Sequence, residues 1–106
     1  MDKIVVLIAT RNEEEAVIIA KILVEERLAA CVNIMPSVRS VYRWKGKVTD
    51  DLECMMVVKT AAPNFQMLEA RVLELHSYEL PEIVALPIVS GYEPYLAWME
   101  ESTLLG

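Results

Sequence analysis

Glycine is scarce in this chain: three residues in 106, at positions 46, 91 and 106. They cannot build a phosphate-cradling loop, which needs several glycines close together. Basic residues are also few, 10 Lys and Arg against 16 Asp and Glu, for a net charge of −6. Phosphate backbones are held mainly by clustered Lys and Arg, so the balance argues against nucleic acid as a partner. No apolar run approaches the ~18 residues of a membrane helix. Met1-Asp2-Lys3 leads straight into the short run Ile4-Val5-Val6-Leu7-Ile8-Ala9, without a signal-peptide pattern. The two cysteines, Cys31 and Cys54, form no spaced disulfide framework. Free thiols in a reducing cytoplasm, with no membrane association, are therefore expected. There is one histidine, His76, and the six methionines form no Met-x-x-Met run.

Apolar residues, in contrast, are plentiful at 55% of the chain. A single domain spanning residues 1–106 fits the length. A domain of this size buries roughly 65% of its unfolded surface. An apolar surplus in so small a domain is usually hidden against further copies of the chain, so an oligomer is expected.

The residue patterns predict an element order. Ile4 to Ala9 reads as a central strand. Asn12 caps a helix that starts with Glu13-Glu14-Glu15, buries Ala16, Ile19, Ala20 and Leu23, and ends near Arg27 or Leu28. Ala29 to Trp44 reads as a long extended stretch, with Pro36 at a bulge, bend or edge. Lys45-Gly46-Lys47 makes the turn, and Glu53 to Lys59 returns as the partner strand. Pro63-Asn64 opens a second helix with the stripe Phe65, Leu68, Val72 and Leu75. Ile83 to Val89 is an edge or bulged strand because of Pro87, and Tyr92 to Ser102 a terminal helix. The result is an α+β chain of order βαββαβ with a C-terminal helix. With right-handed crossovers it gives a ferredoxin-like sandwich, two helices on one face of a four-stranded antiparallel sheet. A partner subunit is the natural cover for its open face.

Five segments in series resemble the CutA family of divalent-cation tolerance proteins. They are Glu26-Arg27-Leu28-Ala29-Ala30-Cys31-Val32-Asn33, Tyr42-Arg43-Trp44-Lys45-Gly46-Lys47, Val58-Lys59-Thr60, His76-Ser77-Tyr78-Glu79-Leu80-Pro81-Glu82-Ile83 and Tyr95-Leu96-Ala97-Trp98. The resemblance implies a ferredoxin-like homotrimer in the cytoplasm, copper or other divalent-metal binding, and a role in metal tolerance. It also implies likeness to PII-type trimers, which bind small ligands between subunits and signal to a protein partner. Some bacterial members are credited with a copper site of a cysteine at the end of the first strand and two adjacent histidines. Here that strand ends Leu7-Ile8-Ala9-Thr10 and the histidine pair is reduced to Leu75-His76, so the site does not carry over whole.

His76 is the one metal-ligand candidate of imidazole chemistry. A three-fold axis could multiply it; otherwise it is a helix-end histidine favoured by the dipole. Cys31, Tyr42, Trp44, Lys59, Tyr78 and Glu82 are the candidates for a ligand cleft. Cys31 and Cys54 otherwise read as strand packing, the aromatics as interface residues, and Glu79 with Glu82 as solvated loop charges. Asp50 and Asp51 read as hairpin-edge charges that limit strand-to-strand aggregation. Ser77 and His76 have no visible orienting group, so a non-enzymatic role is expected. Two functions follow: a trimeric copper or divalent-metal binding protein, or a small-ligand-sensing or scaffold trimer.

Overall fold

The computed structural model describes residues 2–105. Its elements are β1 (Lys3–Thr10), α1 (Glu13–Glu25), β2 (Cys31–Trp44), β3 (Lys47–Ala61), a 3₁₀ turn (Ala62–Asn64), α2 (Phe65–Leu75), β4 (Ile83–Pro87) and α3 (Glu93–Glu101). The strands pair antiparallel in the order β2-β3-β1-β4. This is the ferredoxin-like arrangement with a C-terminal helix, and β4 stands at an edge as Pro87 requires. Among the described residues, no helix is long and apolar enough to cross a membrane.

Local chemistry sets each boundary. The Asn12 side chain accepts the Glu15 N–H at 2.9 Å and starts α1, with three glutamates in the first turn. The helix stops at Glu25, short of the expected Arg27 or Leu28, because Arg27 is left-handed at φ 61°. The Leu28 N–H then reaches back to the Leu23 carbonyl at 2.9 Å, a helix-ending turn. A left-handed residue with a Cβ is unfavourable by ~1–2 kcal/mol. Arg27 is held there by its guanidinium on the Glu101 carbonyl and by the Leu104 N–H on its own carbonyl, both at 2.8 Å.

One face of the sheet carries Val6, Ile8, Met56 and Val58, packed against Ala16, Ile19 and Leu23 of α1 and Leu68 and Val72 of α2. All nine are essentially without solvent exposure. The opposite face carries Val5, Leu7 and Val57, in register with Leu86 and Val84 of β4, and neither β4 side chain is buried.

The hairpin is longer than the sequence pattern suggested. β3 runs from Lys47, not from Glu53, and the extra residues pair only with β2. Since β1 ends at Thr10 opposite Cys54, residues 38–53 form a two-stranded arm beyond the body. Val48-Thr49-Asp50-Asp51-Leu52 buries neither face, so it lacks the alternation by which strands are recognised. The register slips between Met35 and Val38, and Pro36 falls in that irregularity, where its missing N–H breaks no ladder bond. Lys45 and Gly46 both have positive φ, 50° and 79°, as a two-residue primed turn requires. β4 ends at Pro87, not Val89, and one further backbone bond, from the Ile88 N–H to the Lys3 carbonyl at 3.0 Å, closes its pairing with β1.

Candidate functional site

Where β1 ends, residues 76–82 cross from α2 toward β4 and rise beside the arm. Between this loop and the arm lies a cavity of about 720 Å³, whose walls include Tyr42, Trp44, Glu53, Tyr78, Glu79 and Glu82. Strand alternation brings the first three together: Tyr42 opposes Thr49, Trp44 opposes Lys47 and Val38 opposes Glu53, so Tyr42, Trp44 and Glu53 share a face. Tyr78 is half-buried, and its hydroxyl donates to Glu53 Oε2 at 2.7 Å. Burial, then this bond and the Glu53 charge, hold the Tyr78 phenol well above its usual range. It is therefore a neutral donor at every physiological pH. Tyr42 donates likewise to Asp51 Oδ2 at 2.8 Å, and that bond raises its phenol.

His76, expected as the metal ligand, caps α2 and stands behind this wall. Its Nε2 is 2.7 Å from the Ala9 carbonyl oxygen, and its Nδ1 is 3.0 Å from the Tyr78 backbone nitrogen. A carbonyl only accepts and a backbone N–H only donates, which fixes the neutral tautomer protonated on Nε2. Both nitrogens are engaged, so no lone pair is free for a metal. In this arrangement His76 positions the loop against the end of β1, with its ring 4.9 Å from that of Tyr78.

The carboxylates are not equivalent. Glu82 is an exposed residue that receives no hydrogen bond among the described residues, and partial desolvation of its carboxyl, followed by the charge of Glu53, raises it above the usual range. Burial alone would raise Glu15 too, but the favourable interactions around it, bonds from Ser77 first among them, together hold that carboxyl low; the Ser77 N–H lies 2.9 Å away. Glu79 sits at the rim, 3.9 Å from the Lys45 ammonium.

Tyr42, Trp44, Tyr78 and Glu82 therefore converge within one subunit. Cys31 and Lys59 do not join them. They oppose each other at the far end of the hairpin, six positions along β3 from Glu53, or roughly 20 Å at strand spacing. Lys59 there lies 5.8 Å over the Tyr95 ring of α3. Glu53 was not anticipated as a site residue. Its signal was the alternation with Met55 and Val57, which sets it on the face opposite Cys54. Cys54 is buried and its thiol is pushed up by desolvation, with Glu13, not Glu53, as the nearby charge. Asp50 takes a two-pronged bond from Arg39 at 2.9 and 2.7 Å, tying the arm's strands together. Among the described residues, no three His, Cys, Asp or Glu side chains are grouped to hold a metal ion.

Comparison with known proteins gives a consistent picture. Residues 4–102 match the family model described as CutA1 divalent ion tolerance protein. The chain is 56% identical over 99 residues to the divalent-cation tolerance protein CutA of Thermus thermophilus, covering 93% of this chain and 96% of that one. It is 43% identical over 100 residues to the chloroplastic protein CutA of Arabidopsis thaliana, covering 94% of this chain but only 55% of that longer protein. The crystal structure of CutA1 from Oryza sativa superimposes with a TM-score of 0.95 at 40% identity, covering 98% of this chain and 95% of that one.

Proposed function

The chain belongs to the CutA1 divalent ion tolerance family, and from that premise we propose that it serves divalent-cation tolerance as a homotrimer taking a divalent cation into the cleft. The observation that carries this reading is the pair Glu53 and Glu82, two carboxylates lining one cavity, the second raised by partial desolvation and by the charge of the first. A cation between them would cancel that repulsion. The donors are hard oxygens, which suit copper(II) and other hydrated divalent ions better than copper(I). The cysteine-and-two-histidine set does not fit this chain: β1 ends in Ala9-Thr10, and both nitrogens of His76 are engaged. Two carboxylates hold a cation weakly, and water or a neighbouring subunit would complete its shell.

The trimer is supported by the arm, which leaves apolar side chains in solvent that only further protein would cover. The free thiols Cys31 and Cys54 support a reducing, cytoplasmic setting. The proposed role is binding and not turnover: a histidine with both nitrogens engaged has no lone pair to act as a base.

Copper(II) titration by calorimetry tests the cation site. Glu53→Gln and Glu82→Gln should each weaken binding about tenfold, and His76→Ala should leave stoichiometry unchanged. Binding that disappears with His76 and ignores both glutamates would move the site out of the cleft.

A second reading, a PII-like sensor passing its state to a protein partner, is favoured by the size of the cavity. At about 720 Å³ it far exceeds a hydrated ion and falls among small-molecule pockets of ~300–1,000 Å³.

A further inference from the structure

The cleft already holds one ammonium at its rim. The Lys45 Nζ lies 5.6 Å from the Trp44 ring centroid and 3.9 Å from Glu79 Oε2, and both partners belong to the cavity wall. Lys45 is exposed and comes from the turn of the arm, so this ammonium is tethered only by a flexible stem. Elsewhere in the cavity wall the same pairing of ring and carboxylate recurs, with Tyr42 and Tyr78 alongside Glu53 and Glu82. The Tyr78 hydroxyl uses one oxygen of Glu53, and the Glu82 carboxylate accepts no hydrogen bond among the described residues. Arg43 is the one cationic residue among those lining the cavity. Opposite Val48, it alternates onto the other face of the arm, away from Tyr42 and Trp44.

This lining discriminates between ligand classes. Three carboxylates repel an anion. An inorganic divalent ion uses the oxygens but gains nothing from three aromatic rings. An alkylammonium uses both, through three donors for carboxylate oxygens and attraction to ring faces. We propose that the cleft selects an organic ammonium, a short alkyl diamine above all, with one end replacing Lys45 between Trp44 and Glu79 and the other reaching Glu53 and Glu82. The assignment rests on the small-ligand reading of the same cleft and makes Lys45 an internal competitor.

Calorimetric titration of the full chain at pH 7.5 with putrescine, with succinate as a dianion of the same length, tests it. Putrescine should bind and succinate should not. Glu82→Gln and Glu53→Gln should each weaken putrescine about tenfold, by loss of charge-assisted hydrogen bonds. Lys45→Asn, which tolerates the left-handed turn, should tighten putrescine about threefold by freeing Trp44 and Glu79. Equal or tighter succinate binding, no putrescine binding, or a Lys45→Asn variant that binds more weakly would each overturn the assignment. Copper(II) titrated into the same variants separates the two readings. Copper sensitivity to Glu53 and Glu82 without amine binding would sink the amine class and keep the cation cleft. Insensitivity to both would sink both.

Discussion

The inner and outer halves of the hairpin are continuous in sequence yet held in place by different forces. In the inner half, Met56 and Val58 are 0% exposed beneath α1 and α2, and β3 is flanked on both sides by β1 and β2. In the outer half, Val41, Val48 and Leu52 are 65%, 68% and 69% exposed, on the face turned away from Tyr42 and Trp44. The outer strands have each other, a primed turn, the Arg39–Asp50 and Tyr42–Asp51 bonds, and two polar contacts to the 76–82 loop, Tyr78 to Glu53 and Lys45 to Glu79. A two-stranded ribbon with no packed face is marginally stable by itself. The body is thus set by its own core, whereas the arm leaves its apolar side chains without cover. The cleft lies at the seam and takes a wall from each.

Opposite substitutions in the two halves should give the largest effects. Leu68→Ala empties a fully buried position in the body and should lower stability by about 2–5 kcal/mol in urea unfolding. Replacing Val48 and Leu52 together by Lys should leave far-UV dichroism intact and reduce the sedimented mass from that of the proposed trimer toward the single chain. If that variant still sediments as wild type, the arm does not hold the assembly.

A smaller contrast comes from the polar bonds. Asn64 is buried; its amide nitrogen donates to the Ala61 and Leu105 carbonyls at 3.2 and 2.7 Å, and its oxygen accepts the Leu105 N–H at 2.9 Å. It joins the end of β3 to the tail after α3. Asn64→Ala removes these bonds from the buried Ala61 carbonyl and the partly buried Leu105 backbone, and should lower the unfolding free energy by about 1–3 kcal/mol. Arg39→Ala breaks a bond of comparable geometry on the exposed arm, where solvent replaces it, and should barely move the melting temperature. A larger loss for Arg39→Ala would mean that neighbouring subunits desolvate this pair.

The same division decides what was legible in the sequence. Ala16, Ile19, Ala20 and Leu23 recur at helical spacing because one face of α1 is buried, and all four lie in the core. Pro36 marked a bulge and Pro87 an edge strand because a missing N–H acts locally. The first half of β3 left no such trace: a strand solvated on both faces imprints no period. The cleft was legible in its aromatics, Tyr42, Trp44 and Tyr78, and in Glu82, but not in Glu53, which was read only as the start of the returning strand. His76 looked like a ligand because its partners are the Ala9 carbonyl and the Tyr78 N–H, backbone groups present at every position. Side-chain identity says nothing of them.

Glu82, at the seam, should give the smallest and most diagnostic effect. Its folded-state carboxyl is raised above the ordinary value by partial desolvation and by the charge of Glu53. Ionising it is therefore harder in the folded chain than in the unfolded one. Its favourable contribution is complete below the unfolded value and is lost as pH rises through the folded one. Glu82→Gln removes that ionisation, so the variant should melt higher than wild type at pH 7.5. The advantage should shrink as pH falls and vanish once both chains carry a neutral group at this position, near pH 4. Melting temperatures of the two proteins from pH 4 to 8 give the profile. An offset independent of pH would mean that the carboxylate is not under strain, and the case for a cation between arm and loop would lose its support. A pH-dependent gain, accompanied by weaker cation binding, would identify Glu82 as a residue that gives up stability to keep a charge facing the cleft.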